Sequence, residues 1–302
     1  MKPLRIFAPV WGDAHIRQFE MAILKSFGWP ENYAALEDNI RSWHIYTMPA
    51  DEGKLTGLMK RTAQPFQIHF LKPFSDEKGR LEELTNAGLE VMAACVKDQS
   101  LFFTGESDFV FADGSIEPML ALAQRPRVTV TVPHMRVLPP FLDLLDHPVS
   151  CSEMVGMAMK HAHPTWTDGQ IGIKGFFRTF SNQFYGGLSW ERLGNLYLVQ
   201  HVIPNAWIAN IEPSDLEFMK ACRVWSAWDH ILPSKFIKEG RNRIIGSSDA
   251  AFIVEITELN DRNAPGSHID MKNPDAFYRD AYPNEEHHNA YRMCVSVFRE
   301  AS

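Results

Sequence analysis

Apolar residues along this chain switch repeatedly between strand spacing and helix spacing. Arg5-Ile-Phe-Ala-Pro-Val-Trp11 is a short apolar run that ends at Gly12-Asp13, as a buried strand does. Ile16, Phe19, Ile23, Leu24 and Phe27 then recur at helical intervals, and Trp29-Pro30 stops that helix. Trp43-His-Ile-Tyr-Thr47, closed by Met48-Pro-Ala-Asp51, reads as a second strand, and Phe66-Gln-Ile-His-Phe-Leu71 alternates as a third. A long amphipathic helix is predicted over residues 78–98, with Leu81, Leu84, Gly88, Val91, Met92 and Cys95 on one side. Val128-Thr-Val-Thr-Val132 is β-branched throughout and is the clearest strand of all.

Strand, helix, strand, helix in this order predicts an α/β fold with a largely parallel sheet and covering helices. Ligands of such sheets sit beyond the carboxyl ends of the strands. Gly12-Asp13, Asp51 and an acidic segment around residue 106 would all fall near that edge. The character changes after Asp146. Ser150-Cys-Ser-Glu153 is a capping-box pattern opening a Met-rich helix to His161, and Ser214-x-x-Glu217 is a second one, for a short helix to Cys222. Residues 165–185 are rich in glycine and aromatics and read as loop or short strands. Residues 196–203 and 252–256 read as further buried strands. The division that follows is 1–146, 147–260 and a polar, surface-wrapping tail at 261–302, with a helix near 290–299. There is no internal repeat and no low-complexity tract.

Composition narrows the possibilities. The chain has 302 residues, 45% hydrophobic and 12% aromatic, enough for one large domain or two small ones with a substantial core. The formal net charge is −7 and no basic run tracks a phosphate backbone, which argues against nucleic-acid binding. Cys95, Cys151, Cys222 and Cys294 are scattered without a C-x-x-C pair, so neither a disulfide framework nor a zinc knuckle is expected, and reduced thiols fit a cytoplasmic protein. The apolar part of the first residues is too short for a signal peptide. No window approaches about 18 uninterrupted apolar residues, which leaves only peripheral membrane contact.

The chemistry concentrates in Phe102-Phe-Thr-Gly-Glu-Ser-Asp-Phe-Val-Phe-Ala-Asp-Gly-Ser115. Glu106 and Asp108 are two apart, and in extended chain residues i and i+2 point to the same side. Two such carboxylates can share a hard divalent cation, Mn²⁺ or Mg²⁺, which is the chemistry needed to hold a diphosphate. A solvated acidic turn before a buried strand is the competing reading. His161-Ala-His163 fits either a helix end, with imidazoles near the negative end of the dipole, or a metal site. His201, inside an apolar run, is either a core residue or a third metal ligand. Asp229 and Asp249 each stand just outside regular structure, as turn residues or as the base an inverting sugar transfer needs. Lys174, Arg178 and Arg192 are candidates for a cationic clamp on a diphosphate. Phe176, Phe177, Phe184, Tyr185 and Trp190 could stack on a sugar or fill the core. P-loop, dinucleotide, serine-hydrolase and zincin motifs are all absent from the sequence.

Three pieces together resemble GT-A-type glycosyltransferases, in particular glycosyltransferase-like proteins of bacterial surface-polysaccharide loci. They are residues 5–13, the Glu106-Ser-Asp108 segment through Leu120, which is similar to the Asp-x-Asp metal motif, and residues 196–207 with 247–255. The first motif position is Glu106 where that family has Asp. The resemblance implies a GT-A-like, Rossmann-like mixed sheet flanked by helices. It implies a nucleotide-sugar-binding half at 1–146 and an acceptor-side half at 147–260. It also implies a nucleotide-diphosphate sugar donor and transfer to a glycan or lipid-linked acceptor. Carried over residue by residue, Glu106 and Asp108 hold the metal, with His201 as an extra ligand. In that fold the end of the first strand, here Pro9, Trp11, Gly12 and Asp13, borders the nucleotide base. Beside the resemblance, Asp113, Lys174 and Arg178 are further candidates for binding the nucleotide, and Asp229 and Asp249 are candidate bases by position only. The alternative is a non-catalytic α/β binding or scaffolding protein with a degenerate nucleotide site. A phosphohydrolase or nucleotidyltransferase using the same carboxylates is a third reading.

Overall fold

The computed structural model describes residues 1–132, 134–167, 189–200, 206–222, 231–259 and 295–301. The apolar run after Met1 becomes β1 (Leu4–Pro9), followed by β2 (Ile40–Thr47), β3 (Phe66–Phe70), β4 (Leu101–Thr104), β5 (Phe109–Phe111), β6 (Val128–Thr131) and β7 (His134–Val137). β8 (Ser189–Leu193), β9 (Leu196–Gln200), β10 (Ala206–Asn210), β11 (Asn242–Ile244), β12 (Ile253–Ile256) and β13 (Val295–Arg299) complete the strands. A seven-stranded sheet runs in the order β11-β6-β10-β4-β1-β2-β3. β3, β2, β1 and β4 are parallel, β11 is parallel to β6, and β10 lies antiparallel between β4 and β6. The expected mixed, largely parallel sheet flanked by helices is therefore present.

Both faces of this sheet are covered, which is why its strands are nearly continuous apolar runs. Ile6 and Ala8 of β1 join Trp43, Ile45, Phe103 and Trp207 on one face, under Phe19, Ile23 and Phe27. Phe7, Tyr46 and Phe102 face the other way, against Val91, Met92 and Cys95 of the helix Glu77–Asp98. The first helix is Gly12–Phe19, widened by a π-helical turn at Glu20–Leu24 and closed by Lys25–Phe27. Pro30 then starts a new helix, Pro30–Leu36, at the position where its missing N–H costs nothing.

β5, β12 and β7 form a small second sheet, with β12 antiparallel to β5 and parallel to β7. Phe109, Phe111 and Ile253 on one of its faces pack into the core of the large sheet, while Val110, Val254 and Val137 face away. β8, β9 and β13 form a third, antiparallel sheet.

Several expectations are corrected. Residues 295–299 are a strand, not part of a helix, because Val295-Ser-Val-Phe-Arg299 pairs along the whole of β9. The helix Cys151–Lys160 begins after Ser150 without a side-chain cap. The helix Pro213–Cys222 starts one residue before Ser214, and Asp215 instead accepts from the Glu212 amide at 3.1 Å. Apart from these corrections, the large sheet takes β10 between β4 and β6 and β11 at its edge, beside five strands from the first 131 residues.

Candidate functional site

Parallel pairing brings the carboxyl ends of β1, β2, β3 and β4 to one edge, and β6 ends there as well. Three connections at this edge carry chemistry. The first follows β1. The Val10 amide still bonds to the Tyr46 carbonyl at 2.9 Å, after which the chain turns at Gly12, whose φ of +75° lies in the left-handed region. The Gly12 amide donates to Asp51 Oδ2 at 2.7 Å, so the N-terminus of the helix Gly12–Phe19 is closed by a carboxylate from the end of β2. Asp13 pairs with Lys54 across the same corner. The half-buried Trp11 ring lies 6.0 Å from the His15 ring and 6.0 Å, edge-on, from Phe74. Pro9, Trp11, Gly12 and Asp13 thus come together as a continuous corner of the sheet edge, with Asp51 added to them.

The second connection is residues 105–108, between β4 of the large sheet and β5 of the small one. The Gly105 amide bonds to the Phe7 carbonyl at 2.7 Å. A Cβ at Gly105 would stand 2.6 Å from Ile6 Cγ2, so only glycine lets the chain leave β4 this close to β1. Glu106 and Asp108 are half-buried and Ser107 is buried. The Asp108 carbonyl accepts from the Ile256 amide at 2.8 Å, which ties this loop to the end of β12. The two carboxylates therefore sit at the joint of the two sheets, one strand away from the end of β1. They are hard oxygen donors suited to a divalent cation. Among the described residues no group of three or more His, Cys, Asp or Glu side chains converges as a metal site.

The third connection leads from β6 into β7 and places a group that periodicity alone did not reveal. Glu255 Oε2 lies 2.7 Å from His134 Nε2 and accepts from Arg136 Nε at 3.1 Å, and Thr257 Oγ1 donates to Oε1 at 3.2 Å. Burial works to raise the Glu255 carboxyl. The hydrogen bond from His134 and the positive charge of His134 and Arg136 outweigh it and hold the carboxyl at about 2. Phe109 stands beside Glu255 in the register of β5 and β12, and its ring lies 5.3 Å from the His134 ring. The Trp207 ring closes the group at 4.4 Å from Phe109. A signal for this group did exist: Glu255 interrupts the apolar run Phe252-Ile-Val-Glu-Ile256, and carboxylates are rarely buried without a partner. The alternation His134-Met-Arg-Val137 likewise marks two polar residues on one face.

The remaining candidates are dispersed. Asp113 lies beyond β5, where its Oδ1 accepts from the Glu31 and Asn32 amides at 3.0 Å each. It caps the helix Pro30–Leu36, and the length of β5 separates it from Asp108. Asp249 holds Arg299 Nε at 3.1 Å and precedes β12, so it stands at the end of the small sheet away from Asp108. Three residue steps of β12 alone set those ends about 10 Å apart. Arg192 bonds to Glu300 at 3.1 Å and covers the Tyr197 ring, and Trp190 is buried against Tyr197. His161 ends the helix Cys151–Lys160, and buried His163 lies with Nε2 3.0 Å from the Glu258 carbonyl, so both occupy structural positions. Lys174, Arg178, His201, Asp229, Phe176, Phe177, Phe184 and Tyr185 lie outside the described residues.

No family model and no curated protein sequence matches the chain. Among solved structures, GalNAc-T7 with UDP, GalNAc and Mn²⁺ is similar at a TM-score of 0.45 and 10% identity, covering 95% of this chain and 50% of that one. The inositol-1-phosphate CTP transferase from T. maritima gives 0.40 at 7% identity, covering 93% and 99%. The 4-diphosphocytidyl-2C-methyl-D-erythritol synthase from Anaerococcus prevotii gives 0.32 at 14% identity, covering 44% and 56%. The chain thus spans about half the length of two of these proteins. Similarity at these scores is too distant to transfer either a family or a chemistry to this chain.

Proposed function

We propose that this protein is a metal-dependent glycosyltransferase that moves a sugar from a nucleotide-diphosphate donor to a glycan or lipid-linked acceptor. The observation that carries the reading is the loop of residues 105–108, which brings Glu106 and Asp108 to the joint of the two sheets beside the end of β1. In this reading the corner from Pro9 to Asp13 receives the nucleotide. Trp11 offers a ring face for the base, and Gly12, with nothing within 4 Å of a Cβ position, allows close approach of the ribose or phosphate. Glu106 and Asp108 would hold Mn²⁺ or Mg²⁺, whose chemistry is to neutralise charge on the departing nucleotide. Lys174 and Arg178 are proposed as the cationic clamp on the diphosphate, and His201 as an extra metal ligand. The base that takes the acceptor proton is assigned to Asp229, since Asp249 is held by Arg299 at the end of the small sheet away from Asp108. A cytoplasmic location with peripheral membrane contact is part of this proposal, and no helix among the described residues is long and apolar enough to cross a membrane.

Calorimetric titration with UDP, GDP, CDP and dTDP, each with and without Mn²⁺, tests this reading. One nucleotide should bind in a metal-dependent manner, and Asp108→Asn should abolish that binding while leaving the unfolding transition in place. Unchanged nucleotide affinity in Asp108→Asn removes the metal assignment. No binding of any nucleotide moves the protein to the non-catalytic binding or scaffolding class.

A further inference from the structure

His134 and Arg136 are two apart on β7 and so project from one face, and Glu255 lies beside Arg136 on β12. The carboxylate of Glu255 is fully engaged, with Oε2 shared by His134 Nε2 and Arg136 Nε and Oε1 taken by Thr257. The two basic side chains are not. His134 Nδ1 and Arg136 Nη1 are both closed off from solvent, and neither has a hydrogen-bond partner. Orphaned buried polar atoms are rare in folded proteins and point to a missing partner. The rings packed against His134 do not supply one, because Phe109 has no polar side-chain atom and the Trp207 Nε1–H is given to the Val132 carbonyl. Arg136 nevertheless keeps a quarter of its side chain exposed, so the group reaches the surface.

The chemistry of the missing partner follows from the orphans. A guanidinium only donates, so Arg136 Nη1 requires an acceptor, and an oxyanion fits it best. With Nε2 turned to Glu255, Nδ1 is the one polar ring atom of His134 left without a partner, and it can pair with a phosphate oxygen or a P–OH. A phosphate satisfies both orphans, one oxygen accepting from Arg136 Nη1 and a second oxygen or hydroxyl pairing with His134 Nδ1. The pair Arg136–Glu255 is neutral as a unit, so the subsite needs no further countercharge to form. Its position is behind the acidic loop, since Glu255 stands beside Phe109, the residue after Asp108.

We propose that Arg136 and His134, braced by Glu255, form a second subsite that binds a phosphate monoester, and hence that one substrate at this site carries such a phosphate. The subsite's part in catalysis rests on the transferase reading above, but its binding of phosphate does not.

The test uses the full chain and inorganic phosphate as probe, titrated calorimetrically at constant ionic strength without nucleotide or metal. The wild type should bind phosphate. Arg136→Lys keeps a cation beside Glu255 but loses the guanidinium edge, and it should weaken phosphate at least tenfold. The double variant Arg136→Met/Glu255→Leu removes the buried pair together, which such pairs generally tolerate, and it should fold and bind no phosphate. No phosphate binding by the wild type, or equal binding by Arg136→Lys, overturns the proposal. Repeating the titration with saturating nucleotide and Mn²⁺ separates two sources. Competition places the phosphate in the nucleotide's own site and overturns the second subsite, and undiminished binding assigns it to a phosphorylated second substrate. Phosphate binding without any nucleotide binding leaves the subsite standing and removes the transferase reading, and the converse result removes only the subsite.

Discussion

Acid should loosen this fold well before its carboxylates protonate, because a neutral histidine is built into the layer under the long helix. His44 on β2 is 5% exposed. Its Nε2 lies 2.8 Å from Arg5 Nη1 and 2.8 Å from Ser42 Oγ, and its Nδ1 lies 3.2 Å from His69 Nε2. Arg5 can only donate, so Nε2 is an acceptor and the single ring proton sits on Nδ1, donated to His69. Arg5 is itself fixed by Asp98 at 2.5 Å. Burial, then the Arg5 guanidinium and the His69 ring, push His44 down from 6.5 to about 4. The folded state therefore keeps His44 neutral while the unfolded chain takes up a proton near pH ~6.5. The stabilisation is complete above that pH and is lost as the pH falls through the interval to about 4. At about 1.36 kcal/mol per tenfold step in protonation, this interval corresponds to ~3 kcal/mol. His69, lowered chiefly by burial, acts in the same direction. Asp215 and Glu255, both held at about 2, lose their contribution below pH ~4, outside this window. Urea unfolding followed by tryptophan fluorescence, at half-unit pH steps and fixed ionic strength, measures the effect. Wild type should lose about 3 kcal/mol more than His44→Gln between pH 7 and pH 4. Parallel stability curves for the two proteins would refute the argument.

Three further outcomes are expected. Asp215 is fully buried between Lys235 Nζ at 2.9 Å and the Arg241 fork at 3.0 and 2.9 Å, so Asp215→Ala leaves these two cations only the more exposed Glu239 and should cost ~2–3 kcal/mol in denaturant unfolding; a change under 1 kcal/mol would contradict that. Gly105→Ala drives a methyl to 2.6 Å from Ile6 Cγ2 and should destabilise by ~1–3 kcal/mol, with an unshifted denaturation midpoint as the contrary result. Trp11→Ala removes a half-buried ring at the proposed base site and should weaken nucleotide binding about tenfold with little change in stability, whereas equal affinity would place the base elsewhere.

Much of the first half was legible because its signals are local. The runs after Met1, at residues 43–47 and at 128–132 have the burial and β-branching that strands require, and each became a strand of the large sheet. The helical spacing from Ile16 to Phe27 and from Leu81 to Cys95 likewise appeared as helices. The corner from Pro9 to Asp13 and the carboxylates Glu106 and Asp108 follow strands whose ends a parallel sheet must bring to one edge. Val295-Ser-Val-Phe-Arg299 misled because its partner, β9, lies about a hundred residues away in sequence, and only pairing distinguishes an isolated apolar–polar alternation from a helix end.

What the sequence by itself determined is the succession of strands and helices, and with it a largely parallel sheet carrying an acidic loop at its carboxyl edge. These follow from periodicity and chain order, which act over a few residues. Only the tertiary structure decided which polar residues meet. It inserted β10 between β4 and β6, turned Asp113 into a helix cap, and tied Asp249 to Arg299 at the far end of the small sheet. It also set Glu255 against His134 and Arg136, from strands more than a hundred residues apart in the chain. Strand register makes those choices, because it fixes which side chains stand opposite one another, and register is settled by the packing of whole faces rather than by any local run of residues.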